Sequence, residues 1–201
     1  MKVEQLNILA QPIFKFICPR KVLKDTISTL MEEEWQEFPA CVFTRDQRLE
    51  KREEYKELFD WFHKCLDQVK DELQLSCESL KITQAWASKI SKGDNHFRHS
   101  HPNSYASGLL YLNDSDAFTF FVNHNKWNDN LKLQPFGGTE CVYAHKSAQA
   151  ELLIFPSSLD HGVNNGHLDP DEDRFTLSFN SFPTGTVGNY EALSAFENYI
   201  I

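Results

Sequence analysis

No stretch of this chain is apolar enough to span a bilayer, and no basic cluster exceeds a pair such as Lys51-Arg52. The formal charge is −9 at pH 7. Surfaces for nucleic acid or anionic lipid need concentrated positive charge, so neither is an expected partner. Cysteine is sparse and odd in number: Cys18, Cys41, Cys65, Cys77 and Cys141 are scattered, with no Cys-x-x-Cys. That pattern excludes a zinc finger or a disulfide scaffold and points to reduced thiols. The opening Met1-Lys2-Val3-Glu4-Gln5 is charged and no secretory signal follows it, so the expected location is cytoplasmic. Neither an internal repeat nor a low-complexity segment is present.

What the chain does contain suits one globular domain over residues 1–201: 41% hydrophobic residues, 16 Phe among them. Residues 6–17 read as an extended segment interrupted by Pro12. Val22, Leu23, Ile27, Leu30 and Met31 share a helical face, followed by the acidic run Glu32-Glu33-Glu34, expected on a solvated surface. Thr44-Arg45-Asp46-Gln47 has the form of a capping box. The stripe it precedes, Tyr55, Leu58, Phe59, Phe62, Cys65, Leu66, Val69 and Leu73, repeats every 3.6 residues. His63 sits beside that stripe as a boundary residue.

After Ser79 the period changes to two. Leu80, Ile82, Gln84 and Trp86 alternate with Lys81, Thr83 and Ala85, and a turn follows at Gly93-Asp94. Short strands are expected at 107–112, 118–122, 140–143, 151–155 and 175–179, and a closing helix over 189–201. Residues 123–136 form the longest stretch without a clear element and are expected to cover a pocket. Helical support over about 20–78 and a strand-rich core over about 80–185 give a mainly β fold with flanking α: a jelly roll with the helices packed on its major sheet.

The chemistry centres on His99-Ser100-His101-Pro102-Asn103. Histidines at i and i+2 of an extended segment project to one side. His161 follows the apolar strand Leu152–Phe155 and the turn Pro156-Ser157-Ser158. Three imidazoles on one face of a metal leave its other face open for reaction. Asp160 is the rival ligand, but neighbouring strand residues point to opposite faces. Arg174 opens a strand in which Arg174, Thr176, Ser178 and Asn180 lie opposite Phe175, Leu177 and Phe179. A polar row on a strand with an apolar far side suits a polar pocket, and arginine's planar fork suits a carboxylate, with Thr176 one pleat away to share it. Tyr111, on a face with Ser107 and Leu109, can aim its hydroxyl inward. His96, His124, His145 and His167 are assigned to surface or loops, although His96 stands three residues before His99.

These residues resemble those of the 2-oxoglutarate- and iron(II)-dependent oxygenases. More narrowly they resemble small, mostly uncharacterised oxygenases of marine bacteria and cyanophages with a His-x-His-Pro-Asn motif. The likeness rests on His99 to Asn103, Ser107-Gly108 with Tyr111, Leu153 to Ser157 leading to His161, and Arg174 to Asn180. It implies a double-stranded β-helix, Fe(II) on His99, His101 and His161, and 2-oxoglutarate chelating the metal with its far carboxylate on Arg174. Dioxygen completes the site, and an unidentified substrate is hydroxylated with release of succinate and CO2. Thr176 and Tyr111 are the further candidates for cosubstrate contact, Asn103 and Asn180 for orienting roles. His101 departs from the wider superfamily, where a carboxylate is usual at that place. Two other readings fit the three histidines: a cupin-like metal-dependent dioxygenase or isomerase that uses no 2-oxoglutarate, and a non-catalytic jelly-roll binding module. Arg174 favours the first reading over both.

Overall fold

The structure, a computed structural model, describes residues 11–38, 41–94, 96–122, 142–166, 168–191 and 193–199. The loop expected over 123–136 therefore lies outside the described residues, as do Cys141, His124 and His167.

The strands are β1 (Phe14–Ile17), β2 (Trp35–Phe38), β3 (Cys41–Thr44), β4 (Ser79–Ser91), β5 (Ala106–Tyr111), β6 (Phe118–Val122), β7 (Val142–Lys146), β8 (Glu151–Pro156), β9 (His161–Asn164), β10 (Asp173–Val187) and β11 (Phe196–Asn198). Two helices, α1 (Arg20–Leu30) and α2 (Lys56–Glu72), precede the long strands. The major sheet runs β1-β8-β5-β10-β4-β3-β2, with β11 paired to the far end of β10. A smaller sheet runs β7-β6-β9. This is the jelly-roll arrangement expected, and every paired strand is antiparallel.

The helical stripe of α2 buries Leu58, Phe59, Phe62, Leu66 and Val69 against the outer face of the major sheet. Each such side chain contributes about 1.5–3 kcal/mol of transfer free energy. Phe62 meets Phe179 of β10 at 4.8 Å between ring centroids. Phe179 lies flat over Gly108, where an added Cβ would sit 2.1 Å from the ring. The serine–glycine pair at 107–108 thus puts a hydroxyl inside and clears room for a ring outside.

Strand β4 does not alternate cleanly as its period suggested. Asn180 faces Gln84, but Ser181 faces Ile82, so Thr83 is an extra residue, a β-bulge. Leu80 and Ile82 pack toward the helices; past the bulge Ala85 and Ala87 take over that side. Gln84, Trp86 and Ser88 turn into the space between the sheets.

Four other expectations are corrected. Between the helices lies the β2–β3 hairpin, which extends the major sheet. Thr44 caps no helix: it is buried in β3, where its Oγ1 accepts the Ala87 N–H at 3.1 Å. Glu33 is not solvated, since its carboxylate pairs with Arg52 at 2.7 Å and accepts the Tyr55 hydroxyl at 2.9 Å. The end of the chain forms β11 rather than a helix, with Leu193 at φ +53° in the turn before it. Among the described residues no helix is long and apolar enough to cross a membrane.

Candidate metal centre

Residues 96–101 run beside β9 as an irregular extra strand. The His99 N–H donates to the His161 carbonyl and the His161 N–H to the His99 carbonyl, both at 2.9 Å. Residues paired this way across antiparallel backbone present their side chains on one face, and His101, two residues on, shares it. Further ties run from the Val163 N–H to the His96 carbonyl at 3.0 Å and from the His101 N–H to the Ser157 carbonyl at 2.9 Å.

The result is a cluster in which one ring nitrogen from each of His99, His101 and His161 lies within 4.8 Å of the others. Nδ1 of His99 is 2.8 Å from the Phe97 carbonyl, and Nδ1 of His161 is 2.8 Å from the Leu159 carbonyl. A carbonyl only accepts, so each Nδ1 carries the proton and leaves Nε2 as the free lone pair. Nε2 of His101 and His161 are 3.2 Å apart. Two nitrogens at right angles, each roughly 2.1 Å from one ion, stand about 3 Å apart, so the pair fits a shared metal. Burial and the neighbouring imidazoles push His101 down to about 3, and burial pushes His161 down to about 4 despite its carbonyl contact. Neutral imidazole is the form that binds metal. The Asp160 carboxylate instead meets Arg98 at 3.3 Å, and the cluster leaves it out.

These histidines border a cavity of about 410 Å³ between the sheets, and Arg174 lies buried at another part of its wall. Its Nε donates to Ser147 Oγ and its Nη2 to Thr119 Oγ1, each at 2.9 Å. The Tyr111 ring lies 5.3 Å below the guanidinium, and the Tyr111 hydroxyl donates to the same Thr119 oxygen at 2.7 Å. Burial lowers the arginine's pKa, but arginine's ordinary value is high enough to keep it charged. Among the described residues no carboxylate pairs with it. A buried, unpaired cation facing a cavity is costly and asks for an anion from outside.

The other predicted residues divide. Thr176 lines the cavity beside Arg174, sharing a 2.7 Å hydrogen bond with Ser88. Asn180 lines it farther along β10, accepting the Ser107 hydroxyl at 2.9 Å. Tyr111 lies against Arg174 and is not part of the lining, so its contact with any cosubstrate would run through the arginine. Asn103 is exposed in a turn at φ +57° and does not reach the cavity. Two histidines assigned to surface or loops have partners inside the fold. His96 lines the cavity, stacked on His99 at 4.6 Å. His145 pairs with Glu151 at 2.7 Å beneath Tyr111. Thr119 and Ser147, which hold Arg174, were missed, since a lone hydroxyl on a short strand carries no sequence signal.

Residues 84–180 match the family model described as "Putative 2OG-Fe(II) oxygenase". No curated protein matches the sequence. Solved structures share the fold at low identity. HygX from Streptomyces hygroscopicus, with nickel and 2-oxoglutarate bound, is 14% identical at a TM-score of 0.64, covering 87% of this chain and 84% of that one. SnoN, a non-heme alpha ketoglutarate dependent epimerase from nogalamycin biosynthesis, is 9% identical at 0.64, covering 89% and 79%. A Pseudomonas putida prolyl-4-hydroxylase is 14% identical at 0.54, covering 85% and 92%. The fold is thus the double-stranded β-helix. The family match, the neighbours and the three-histidine group together support a 2-oxoglutarate-dependent iron(II) oxygenase.

Proposed function

We propose that this chain, as a single domain, is a dioxygenase that hydroxylates its substrate with 2-oxoglutarate and dioxygen. His99, His101 and His161 hold Fe(II) through Nε2, and Arg174 takes the far carboxylate of 2-oxoglutarate. The observation that carries this reading is the buried guanidinium of Arg174, without a carboxylate partner among the described residues, on the same cavity as the three histidines. Iron bound there supplies dioxygen activation coupled to oxidative decarboxylation of 2-oxoglutarate to succinate and CO2.

The protein's part is binding, orientation and exclusion of water. The Leu159 and Phe97 carbonyls hold the His161 and His99 rings in the ligating tautomer. Ser147 and Thr119 fix two edges of the guanidinium, and the Tyr111 ring backs it, so the remaining donors are aimed before the anion arrives. Thr176, one pleat from Arg174 on the cavity wall and bonded to Ser88, offers a hydroxyl to share that carboxylate. Asn180 orients the cavity wall through Ser107. Val163, Phe155 and Leu109 supply apolar lining that keeps water from the reacting centre. The His-x-His-Pro-Asn motif supports a place among the small marine bacterial and phage oxygenases. The free thiols of Cys18, Cys41, Cys65 and Cys77 support a cytoplasmic setting.

The test is anaerobic. Protein loaded with iron(II) is titrated with 2-oxoglutarate while the visible charge-transfer absorption is recorded, for the wild type and for Arg174→Ala. A band that needs both iron and Arg174 is expected. Bound iron with no band would favour the cupin-like chemistry that uses no 2-oxoglutarate, and failure to bind iron would favour the binding module.

A further inference from the structure

Strand β10 presents more inward polar groups than a cosubstrate can use. Arg174, Thr176, Ser178 and Asn180 all line the cavity, one every second residue. At about 3.3 Å per residue, Asn180 stands roughly 20 Å along the strand from Arg174. A five-carbon dicarboxylate anchored on Arg174 is far shorter. The far part of the cavity therefore belongs to another molecule.

Its chemistry is written in the wall. Ser178 lies opposite Trp86 and Asn180 opposite Gln84, so these four side chains form one contiguous patch across β4 and β10. Gln47, from the segment after β3, adds its amide, with its Oε1 accepting from Gln84 Nε2 at 3.2 Å. Asn180 spends its Oδ1 on Ser107. That leaves Asn180 Nδ2 and Gln47 Nε2 as donors and Gln84 Oε1 as an acceptor, with the Ser178 hydroxyl able to do either. None of these atoms bonds to a described residue, and neither does the Trp86 indole N–H. Apart from Arg174 and the histidines, no ionisable side chain lines the cavity among the described residues. Among the described residues an anion at the patch would find no cationic side chain beside it, and an ammonium would find no carboxylate. Trp86 also stands beside the metal ligand His101, with ring centroids 5.9 Å apart, so a molecule held on the patch sits next to the metal centre.

We propose that the patch of Gln84, Trp86, Ser178 and Asn180, with Gln47, binds an uncharged, hydroxyl-rich ring, a neutral sugar or cyclic polyol, as the molecule to be oxidised. Hydroxyls both donate and accept, which matches mixed unspent amide groups, and sugar C–H edges pack on indole. The inference rests on the reading that Arg174 takes 2-oxoglutarate, since that reading assigns the other end of the cavity.

Saturation-transfer NMR on the full chain with zinc(II) in place of iron tests it without turnover. The probes are methyl α-D-glucopyranoside, glucuronate, glucosamine and N-acetylprolinamide, each with 2-oxoglutarate present. The neutral glucoside is expected to bind best, with its ring C–H protons saturated. Gln84→Leu should weaken it roughly tenfold, the worth of a hydrogen bond left unmade in a buried site. Gln84→Glu, nearly the same shape, keeps an acceptor at that place, so it should hold the glucoside within about threefold while raising the binding of glucosamine roughly tenfold. Equal or better binding of glucuronate, glucosamine or the amide to the wild type would overturn the proposal, as would glucoside binding indifferent to Gln84→Leu. The 2-oxoglutarate signals report separately on the Arg174 end: their loss in Arg174→Ala, beside intact glucoside signals, distinguishes the two readings.

Discussion

Replacing Arg174 with methionine separates the cost of a buried charge from its use. In the free protein the guanidinium makes two hydrogen bonds, to Ser147 and Thr119, each worth about 1.5–3 kcal/mol. Against these stands the desolvation of a cation with no carboxylate partner among the described residues, several kcal/mol in its own right. The two nearly cancel, so Arg174→Met is expected to change the stability of the ligand-free protein by less than about 2 kcal/mol. With ligand the balance tips. Iron(II)-loaded wild type at a 2-oxoglutarate concentration of about 100 Kd gains roughly 2.7 kcal/mol. For a chain of this length that raises Tm by about 5–10 °C. Losing the buried charge pair removes at least about 3 kcal/mol of binding, a factor above roughly 100 in Kd. At the same concentration the variant should then gain under about 2 °C. Anaerobic thermal denaturation with and without 2-oxoglutarate gives all four numbers. A variant that keeps the full ligand-induced shift would refute the role of Arg174. One that loses more than about 10 °C without ligand would show that the cation is there for the fold.

Three further outcomes follow from the same geometry. His161→Ala should leave the purified protein without stoichiometric iron by elemental analysis, because two remaining imidazoles do not hold the ion against dialysis; full iron content would remove His161 from the ligand set. Gly108→Ala drives a methyl into the Phe179 ring and should cost about 1–3 kcal/mol, seen as a lower denaturant midpoint with unchanged slope. Burial pushes the Asp173 carboxyl up, but its ion pair with Lys89 at 2.8 Å and the Ser91 hydroxyl outweigh that and hold it below its usual range. A lowered folded-state pKa gives stability that is present above the unfolded value of about 3.9 and lost as pH falls through the folded value. Asp173→Asn should therefore lower Tm at pH 7 and by much less near pH 3; an equal loss at both would contradict the sign.

The parts of this molecule that were legible in the sequence are those where one period repeats over many residues. The α2 stripe and the inward row of β10 are of that kind; the His99, His101 and His161 set was legible instead from residue type, a two-residue spacing and the apolar strand before His161. The β2–β3 hairpin was hidden because its strands have four residues each, too few to show alternation, and begin beside an acidic run. That run misled as well: Glu33 is drawn inside by Arg52 and Tyr55, both distant in sequence. The β4 face was misread because a single extra residue, Thr83, reverses the alternation, and threonine marks no bulge by itself. Thr44 resembled a cap because a hydroxyl suits a helix start and a strand's free N–H equally well. His96 and His145 looked incidental, since what gives each a place is a contact that spacing alone does not show: His96 stacks on His99 and its carbonyl takes the Val163 N–H, and His145 meets the Glu151 carboxylate.

The bulge at Thr83 has a consequence for how such a chain can change over generations. Before it, β4 shows large apolar side chains to the helices; after it, the helix side is kept by Ala85 and Ala87, both fully buried. The alternate positions, Gln84, Trp86 and Ser88, are thereby released from any duty to the core. Drift at those three can remodel what the cavity accepts while the packing that keeps the molecule folded stays as it was. Pairing β4 without the bulge, every residue kept, would do the opposite. Past Ile82 the two faces would exchange, and the helices would have to rest on amides and an indole.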